Sequence, residues 1–284
     1  MKNRFLTKIS VAMLALIVSS AFLLEACAKE LKSVDEPSGI ITMTTTASEV
    51  SISVIGAIDI TIDWGDGRTS NVNDATFYED YGGFEFFQNY SGTSARNIVI
   101  TGNVTTLGCD RNQLTALDVS RNTALTRLSC GYNQLTALDV SRNTALTILY
   151  CRENQITALD VSRNTMLEDL DCRINKLTTL DVSNNTALKR LDCKYNQITR
   201  LDVSHNDKIF LIACAGNQLT ANALNDLFRS LPHYRGLQYG EYGSMLMTFR
   251  GEPERYADPG NPGVFDCDRS IAEKKGWIFY SDTR

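Results

Sequence analysis

Histidine, proline and tryptophan are scarce in this chain: 284 residues contain 2, 5 and 2 of them. Two histidines, His205 and His233, leave little material for imidazole catalysis or for histidine-rich metal sites. A basic excess is missing as well. Lys and Arg number 28 against 33 Asp and Glu, a net charge of −5, which excludes a partner held through its phosphate backbone. Long apolar runs are confined to one stretch near the N-terminus, which excludes a polytopic membrane protein. No G-x-S-x-G, P-loop, G-x-G-x-x-G or H-E-x-x-H occurs. Apolar residues, at 43% with 18 glycines besides, reach the ordinary globular share, and charged residues are 21%. Disorder is therefore not the dominant state. The length allows one large domain or two to three small ones.

The first residues read as an address. Lys2, Arg4 and Lys8 form a basic segment, and Val11 to Leu24 an apolar one. The 16 uncharged residues between Lys8 and Glu25 are fewer than the roughly 18–20 that a spanning helix needs. Leu24-Glu25-Ala26-Cys27 then resembles a bacterial lipobox, with Glu25 departing from the usual small or apolar residue. The resemblance implies a signal peptide over 1–26, lipid on Cys27 and a charged tether over 27–37. It further implies an outer-membrane lipoprotein facing the cell surface. The alternatives are a cut after Ala28 with free secretion, and a periplasmic location. Several acyl chains on one Cys anchor stably. Loss of 1–26 removes Lys2, Arg4, Lys8 and Glu25 and takes the net charge from −5 to −7.

A repeat dominates the middle of the chain. Cysteines stand at 109, 130, 151, 172, 193 and 214, always 21 residues apart. Asparagines follow at 112, 133, 154, 175, 196 and 217, and Leu or Ile at 114, 135, 156, 177, 198 and 219. An L-D-V-S-x-N block recurs from Leu117, Leu138, Leu159, Leu180 and Leu201. One such coil cannot bury its own apolar face, whereas stacked coils share a core. Leu125, Leu128, Cys130 and Leu135 point inward; Thr126, Arg127, Ser129 and Tyr132 point outward. Asn133 and its counterparts are placed to satisfy turn backbone groups in a ladder. The L-D-V-S block alternates too, which predicts a second extended segment per coil.

The unit L-x-x-L-x-C-x-x-N-x-L resembles the leucine-rich repeat. In particular it resembles the 21-residue cysteine-containing repeats of the internalin family and of repeat lipoproteins of Gram-negative bacteria. Over 104–219 the resemblance implies a mainly β, right-handed leucine-rich repeat solenoid. It is specific for fold and much less so for function, since one scaffold serves many ligands.

The in-register cysteines are expected to be buried free thiols, since side chains about 4.8 Å apart and pointing the same way are badly aimed for a disulfide. A disulfide subset is the alternative for an exported chain; zinc lacks histidine partners and C-x-x-C spacing. Cys267 is expected to be buried in the C-terminal region. Asp118, Asp139, Asp160, Asp181 and Asp202 form an acidic column. Local bonds to Ser and Thr neighbours explain it, with calcium as the alternative.

A ligand surface is sought where the coils differ. The outward positions of L-x-x-L-x-C vary most. They gather Arg127, Tyr132, Ile148, Tyr150, Arg152, Asp169, Asp171, Arg173, Asp192 and Tyr195 on one sheet surface. Aromatic and Arg side chains anchor protein interfaces, and Tyr beside Asp and Arg suits a sugar. Plain solvation is the competing reading, with cross-strand pairs such as Arg190 and Asp169. Asp169 and Asp171 are expected on an open surface, without the enclosure that shifts a pKa. The expectation is therefore no catalytic residue, no cofactor and no metal, in a monomer with a protein or glycan ligand and no nucleic acid. A structural or assembly role is the alternative, and a hydrolase a distant third.

The ends read as caps, which an open solenoid needs. In 38–103, Ile58, Ile60, Ile62 and Trp64 alternate with polar residues, Gly65-Asp66-Gly67 makes a tight turn, and 97–101 is a strand. The W-G-D-G stretch resembles the PKD-type β-sandwich of bacterial surface proteins, which implies a small β-sandwich-like cap. Residues 220–284 read as an α/β cap. Ala221 to Leu231 is a helix stopped by Pro232, and Met245, Met247 and Phe249 mark a strand. Asn261 to Cys267 is a turn, Asp268 caps a helix to Lys275, and Trp277 to Tyr280 is a last strand.

Overall fold

The computed structural model describes residues 39–56, 59–79, 82–233, 245–247, 261–262 and 266–279. The segments read as signal peptide (1–26) and tether (27–37), Cys27 included, lie outside the described residues, as do Ile58, Phe249 and Tyr280. Among the described residues no helix is long and apolar enough to cross a membrane.

In chain order the strands are β1 Ile40–Thr45, β2 Glu49–Gly56, β3 Thr61–Asp63, β4 Thr69–Asn71, β5 Thr76–Tyr78, β6 Gly83–Asn89, β7 Arg96–Thr101, β8 Val104–Gly108 and β9 Leu114–Asp118. The coils follow with β10 Arg127–Ser129, β11 Ile148–Tyr150, β12 Asp169–Asp171, β13 Arg190–Asp192 and β14 Leu211–Ala213. Helix α1 Ala221–Ser230, β15 Met245–Met247, α2 Ser270–Glu273 and β16 Ile278–Phe279 end the chain.

Two sheets result. One runs β4-β3-β7-β1-β9; the other has 11 strands in the order β16-β15-β14-β13-β12-β11-β10-β8-β2-β6-β5. Across the coils the pairing is parallel, each strand one coil on from the last. At the N-terminal end it is antiparallel, through β2 and β6. The fold is a leucine-rich repeat β-solenoid of 21-residue coils. The N-terminal sandwich does not merely sit against it: β2 pairs with β8 and β1 with β9, so both sheets run through the junction at 103 and 104. Backbone hydrogen bonds as well as packing thus close the first coil.

The sandwich encloses Ile41, Met43, Ile52, Val54, Ile62, Trp64, Phe86, Ile98 and Ile100, all buried. Ile60, Ile62 and Trp64 are inward as read, but the strand is only Thr61–Asp63. Trp64 N–H donates to the Arg68 carbonyl at 3.1 Å to close the turn. Gly65 holds φ at +71°, and a Cβ there would lie 2.3 Å from the Asn97 carbonyl oxygen, so only glycine fits.

In each coil, the leucines, the cysteine and the valine of L-D-V-S are buried (Leu125, Leu128, Cys130, Leu135, Val140). Each such aliphatic side chain contributes about 1.5–3 kcal/mol. The asparagine ladder is present. Asn133 Oδ1 accepts from the N–H groups of Asn112 and Leu114, each at 3.0 Å, and Nδ2 donates to the Cys109 and Cys130 carbonyls at 3.0 Å. A second ladder, of Asn143, Asn164, Asn185 and Asn206, runs beneath L-D-V-S. Asn143 Nδ2 donates to the Val119 carbonyl at 3.0 Å and the Asn122 carbonyl at 2.8 Å.

The second extended segment is not a second sheet. Only Leu114–Asp118 pairs as a strand, and its partner is β1. Local turns take the donors that a ladder would use: Ser141 N–H goes to Asp139 Oδ1, Asn143 N–H to the Val140 carbonyl, and Leu146 N–H to the Asn143 carbonyl.

At the C-terminal end Thr220 Oγ1 accepts from Ala223 N–H and starts α1, which buries Leu224, Leu227 and Phe228. The second helix is shorter than read, Ser270–Glu273. Asp268 still accepts from Ser270 N–H at 3.0 Å, and Gly276, at φ +85°, follows the helix. Trp277 Nε1 donates to the Pro232 carbonyl at 2.9 Å. Cys267 is half-buried, not buried as expected, because it lies on the surface segment that enters α2.

Candidate functional site

The varied positions form rows on the parallel sheet. One row is Thr106, Arg127, Ile148, Asp169, Arg190 and Leu211; the next outward row is Gly108, Ser129, Tyr150, Asp171, Asp192 and Ala213. Between them Leu128, Leu149, Leu170 and Leu191 point into the core. All ten predicted site residues lie on this face or on the turn that borders it. Arg127 is exposed; Ile148, Tyr150, Arg152, Arg173 and Asp192 are half-buried.

The turn after each strand is left-handed. Arg111, Tyr132, Glu153, Ile174 and Tyr195 have φ of 60°, 55°, 51°, 54° and 54°, and Gly216 completes the column at 68°. The conformation aims Tyr132 N–H at the Arg152 carbonyl, 2.9 Å away on the next coil. A non-glycine residue there costs about 1–2 kcal/mol. Tyr132 and Tyr195 are thus held in backbone strain, which their varied residue types did not reveal in the sequence.

The carboxylates do not stand on an open surface. Asp169 and Asp171 are only 8% exposed, which corrects the sequence expectation. Strands about 4.8 Å apart let long Tyr and Arg side chains close over short Asp side chains. Asp169 Oδ2 accepts from Tyr150 Oη at 2.8 Å and from Arg190 Nε at 2.9 Å, with Arg190 Nη2 also in contact. Asp171 Oδ2 has Arg152 Nη1 at 3.4 Å and Arg173 Nε at 3.6 Å. Arg173 Nη1 reaches Asp192 Oδ2 at 3.2 Å, and Lys194 Nζ the same oxygen at 3.6 Å. Burial, and then the Asp192 charge, raise the Asp171 carboxyl to about 6, against the pull of Arg173 and Arg152. Burial and the bond to Asp169 push the Tyr150 phenol up.

Besides Arg190, two cations outside the predicted set belong to the site. Lys194 neutralises Asp192, and the Arg111 guanidinium lies 4.0 Å from the centre of the Tyr132 ring. Both stand at varied positions; what the sequence does not show is which side chains lean over which neighbours.

The other candidate groups are quiet. The six ladder cysteines are free and buried, and burial pushes the thiols of Cys151 and Cys214 up to about 12. In the acidic column Asp118, Asp139, Asp160, Asp181 and Asp202 each accept the backbone N–H two residues on, at 2.8 or 2.9 Å. Among the described residues no three or more His, Cys, Asp or Glu gather as a metal site would require. Ser204 Oγ lies 3.3 Å from His205 Nδ1, yet Asp202 takes the backbone N–H of Ser204 and does not orient the imidazole.

No protein-family model and no curated protein matches the chain. Solved structures do. The functional domain of InlJ from Listeria monocytogenes, which includes a cysteine ladder, is 42% identical at a TM-score of 0.42, over 45% of this chain and 28% of that one. An internalin, InlF, from Listeria monocytogenes str. 4b F2365 is 20% identical at 0.41, over 51% and 41% of the two chains. A leucine-rich repeat protein from Leptospira interrogans is 24% identical at 0.41, over 45% and 35%. The chain therefore spans less than half the length of each.

Proposed function

We propose that the chain is a recognition module of the bacterial envelope, binding a protein or glycan through the varied sheet face. One observation carries this reading. The buried positions repeat from coil to coil, while the outward positions differ, and six parallel strands set those differences side by side in register. Tyr132, Tyr150, Arg127 and Arg152 are anchors of the kind that interfaces use. Lipid on Cys27 would hold the molecule at the outer membrane, facing outward.

A screen of the chain against proteins and polysaccharides tests the reading. Tyr150→Ala with Arg152→Ala should abolish a genuine hit; unchanged affinity rejects this face. Cys27→Ser should release the protein from membranes, and continued membrane association rejects the anchor.

The pairing of Asp169, Asp171 and Asp192 with neighbouring cations favours a second reading, a solvated spacer of the envelope whose contacts are made by its ends. A hydrolase is the third. Asp171 has the raised pKa of an acid catalyst, but Asp169 is committed to Arg190 and Tyr150. Loss of any turnover in Asp171→Asn would favour that reading.

A further inference from the structure

Tyr132 is flanked by two guanidiniums. Arg111, from the preceding coil, lies 4.0 Å from its ring centre, and Arg152, from the following coil, 5.2 Å. Arg111 has no ion pair among the described residues. Arg152 has one, to Asp171 at 3.4 Å, and its buried Nε has no hydrogen-bond partner. Asp171 also takes Arg173 Nε at 3.6 Å and the Arg173 N–H at 3.3 Å. The next strand brings Asp192, which has its own cations in Arg173 and Lys194. The preceding strand brings Tyr150, turned to Asp169, which Arg190 holds on the same strand as Asp171. The thiols of Cys151 and Cys172 lie beneath. Among the described residues, Asp171 is the only carboxylate that holds Arg152.

We propose that this cluster is an acid-operated switch: one proton taken from solvent by Asp171 releases Arg152, which with Arg111 then grips the acidic groups of an anionic polysaccharide beside Tyr132. The inference rests on the sheet face being the binding surface. Ionised, the set Arg152, Arg173, Lys194, Asp171 and Asp192 carries one net positive charge; protonated at Asp171, it carries two. Arg173 stays with Asp192, so the change falls on Arg152. With its carboxyl raised to about 6, Asp171 takes up its proton in mildly acidic water. Sugar carboxylates and sulfates are still ionised there. Each guanidinium can offer two parallel N–H groups to such an anion. The clamp lies on the turns that border the sheet, one to each coil, so successive acidic sugar units have room to lie along them.

The test is affinity of the full chain for heparin and polygalacturonate at about pH 5 and about pH 7.5, at fixed ionic strength, with dextran and polyglutamate as controls. Wild type should bind both sugar polyanions about fivefold tighter at the lower pH, the scale of one partly exposed charge pair. Asp171→Asn should bind equally at both, and Arg152→Gln should lose the gain. The Asp171 carboxyl carbon, followed by NMR without ligand, should titrate near 6. A pH dependence identical in wild type and Asp171→Asn overturns the switch and leaves the binding surface standing. Titration of Asp171 in the ordinary carboxylate range overturns it as well. Asp171 titrating near 6 while none of these polyanions binds overturns the binding surface proposed for them. An equal gain for polyglutamate overturns the choice of a polysaccharide.

Discussion

Asn261 does for Cys214 what Asn217 does for Cys193: each amide donates to the cysteine carbonyl at 3.0 Å. Asn261 Oδ1 also accepts from Leu219 N–H at 3.2 Å, as Asn217 Oδ1 does from Ile198 N–H at 3.0 Å. The ladder thus continues into the C-terminal end. At the other end Asn112 carries it into β2, donating to the Ser51 carbonyl at 2.7 Å and accepting from Ser51 N–H at 3.0 Å.

Asn175→Ala should therefore be costly. It strands the N–H of Ile156 in the core and takes one of two amide donors from each of the Cys151 and Cys172 carbonyls, which keep Asn154 and Asn196. The unsatisfied donor costs about 1–3 kcal/mol and each of the two lost amide bonds about 0.5–1.5 kcal/mol, so a loss of at least ~2 kcal/mol is expected from urea unfolding. Asn261→Ala should act locally, with faster amide exchange at Leu219 and little change at Leu135.

The left-handed column makes a second prediction. Ile174→Gly relieves about 1–2 kcal/mol of backbone strain and adds about 0.5–1 kcal/mol of glycine entropy, so it should be neutral to mildly stabilising. Gly216→Ala, at φ 68°, should destabilise by about 1 kcal/mol. Denaturation midpoints of the two variants should move in opposite directions, or only the second should move.

The thiols should be silent in the folded protein. An exposed-thiol reagent should leave Cys109, Cys130, Cys151, Cys172, Cys193 and Cys214 unlabelled until the chain is unfolded, because all six are buried. Cys151→Ser, which buries a hydroxyl in that place, should cost about 1–3 kcal/mol. Rapid labelling of all six under native conditions would contradict the ladder.

Stability should depend on pH in two opposed ways. Asp171 is raised to about 6. Its stabilising protonation is complete below the unfolded value of about 3.9 and is lost as pH rises through about 6, a contribution on the order of 2 kcal/mol. Asp171→Asn should flatten that fall. Hydrogen bonds to Ser141, Ser162, Ser183 and Ser204 hold Asp139, Asp160, Asp181 and Asp202 below the usual carboxylate range. Their contribution is present above about pH 4 and is lost as pH falls through their native values. Thermal unfolding of wild type and Asp171→Asn between pH 3 and pH 8 reads both.

The frame was legible in the sequence because a fixed chain length returns the same side chain to the same rung. Cys130, Asn133 and Leu135 could be placed by counting alone. Asn261 could not: it stands 44 residues after Asn217 and not 21, with α1 and β15 between them in the sequence. The left-handed turns were hidden because Arg, Tyr, Glu and Ile fill five places of a column in which glycine stands only at Gly216. The burial of Asp171 was hidden for another reason. It depends on Arg152 and Arg173 leaning sideways between coils, which periodicity does not encode. The second face failed to form a sheet because Asp139 and Asn143 close local turns.

The central claim is that the frame is uniform and that recognition resides where the coils differ. Its most direct test pairs a front variant, Tyr150→Ala with Arg152→Ala, with a back variant, Asp139→Asn with Asp160→Asn, against a ligand found in the binding screen. The account predicts loss of affinity by about tenfold or more in the front variant, which removes anchor-type side chains, and wild-type affinity in the back variant. Loss confined to the back variant would contradict it.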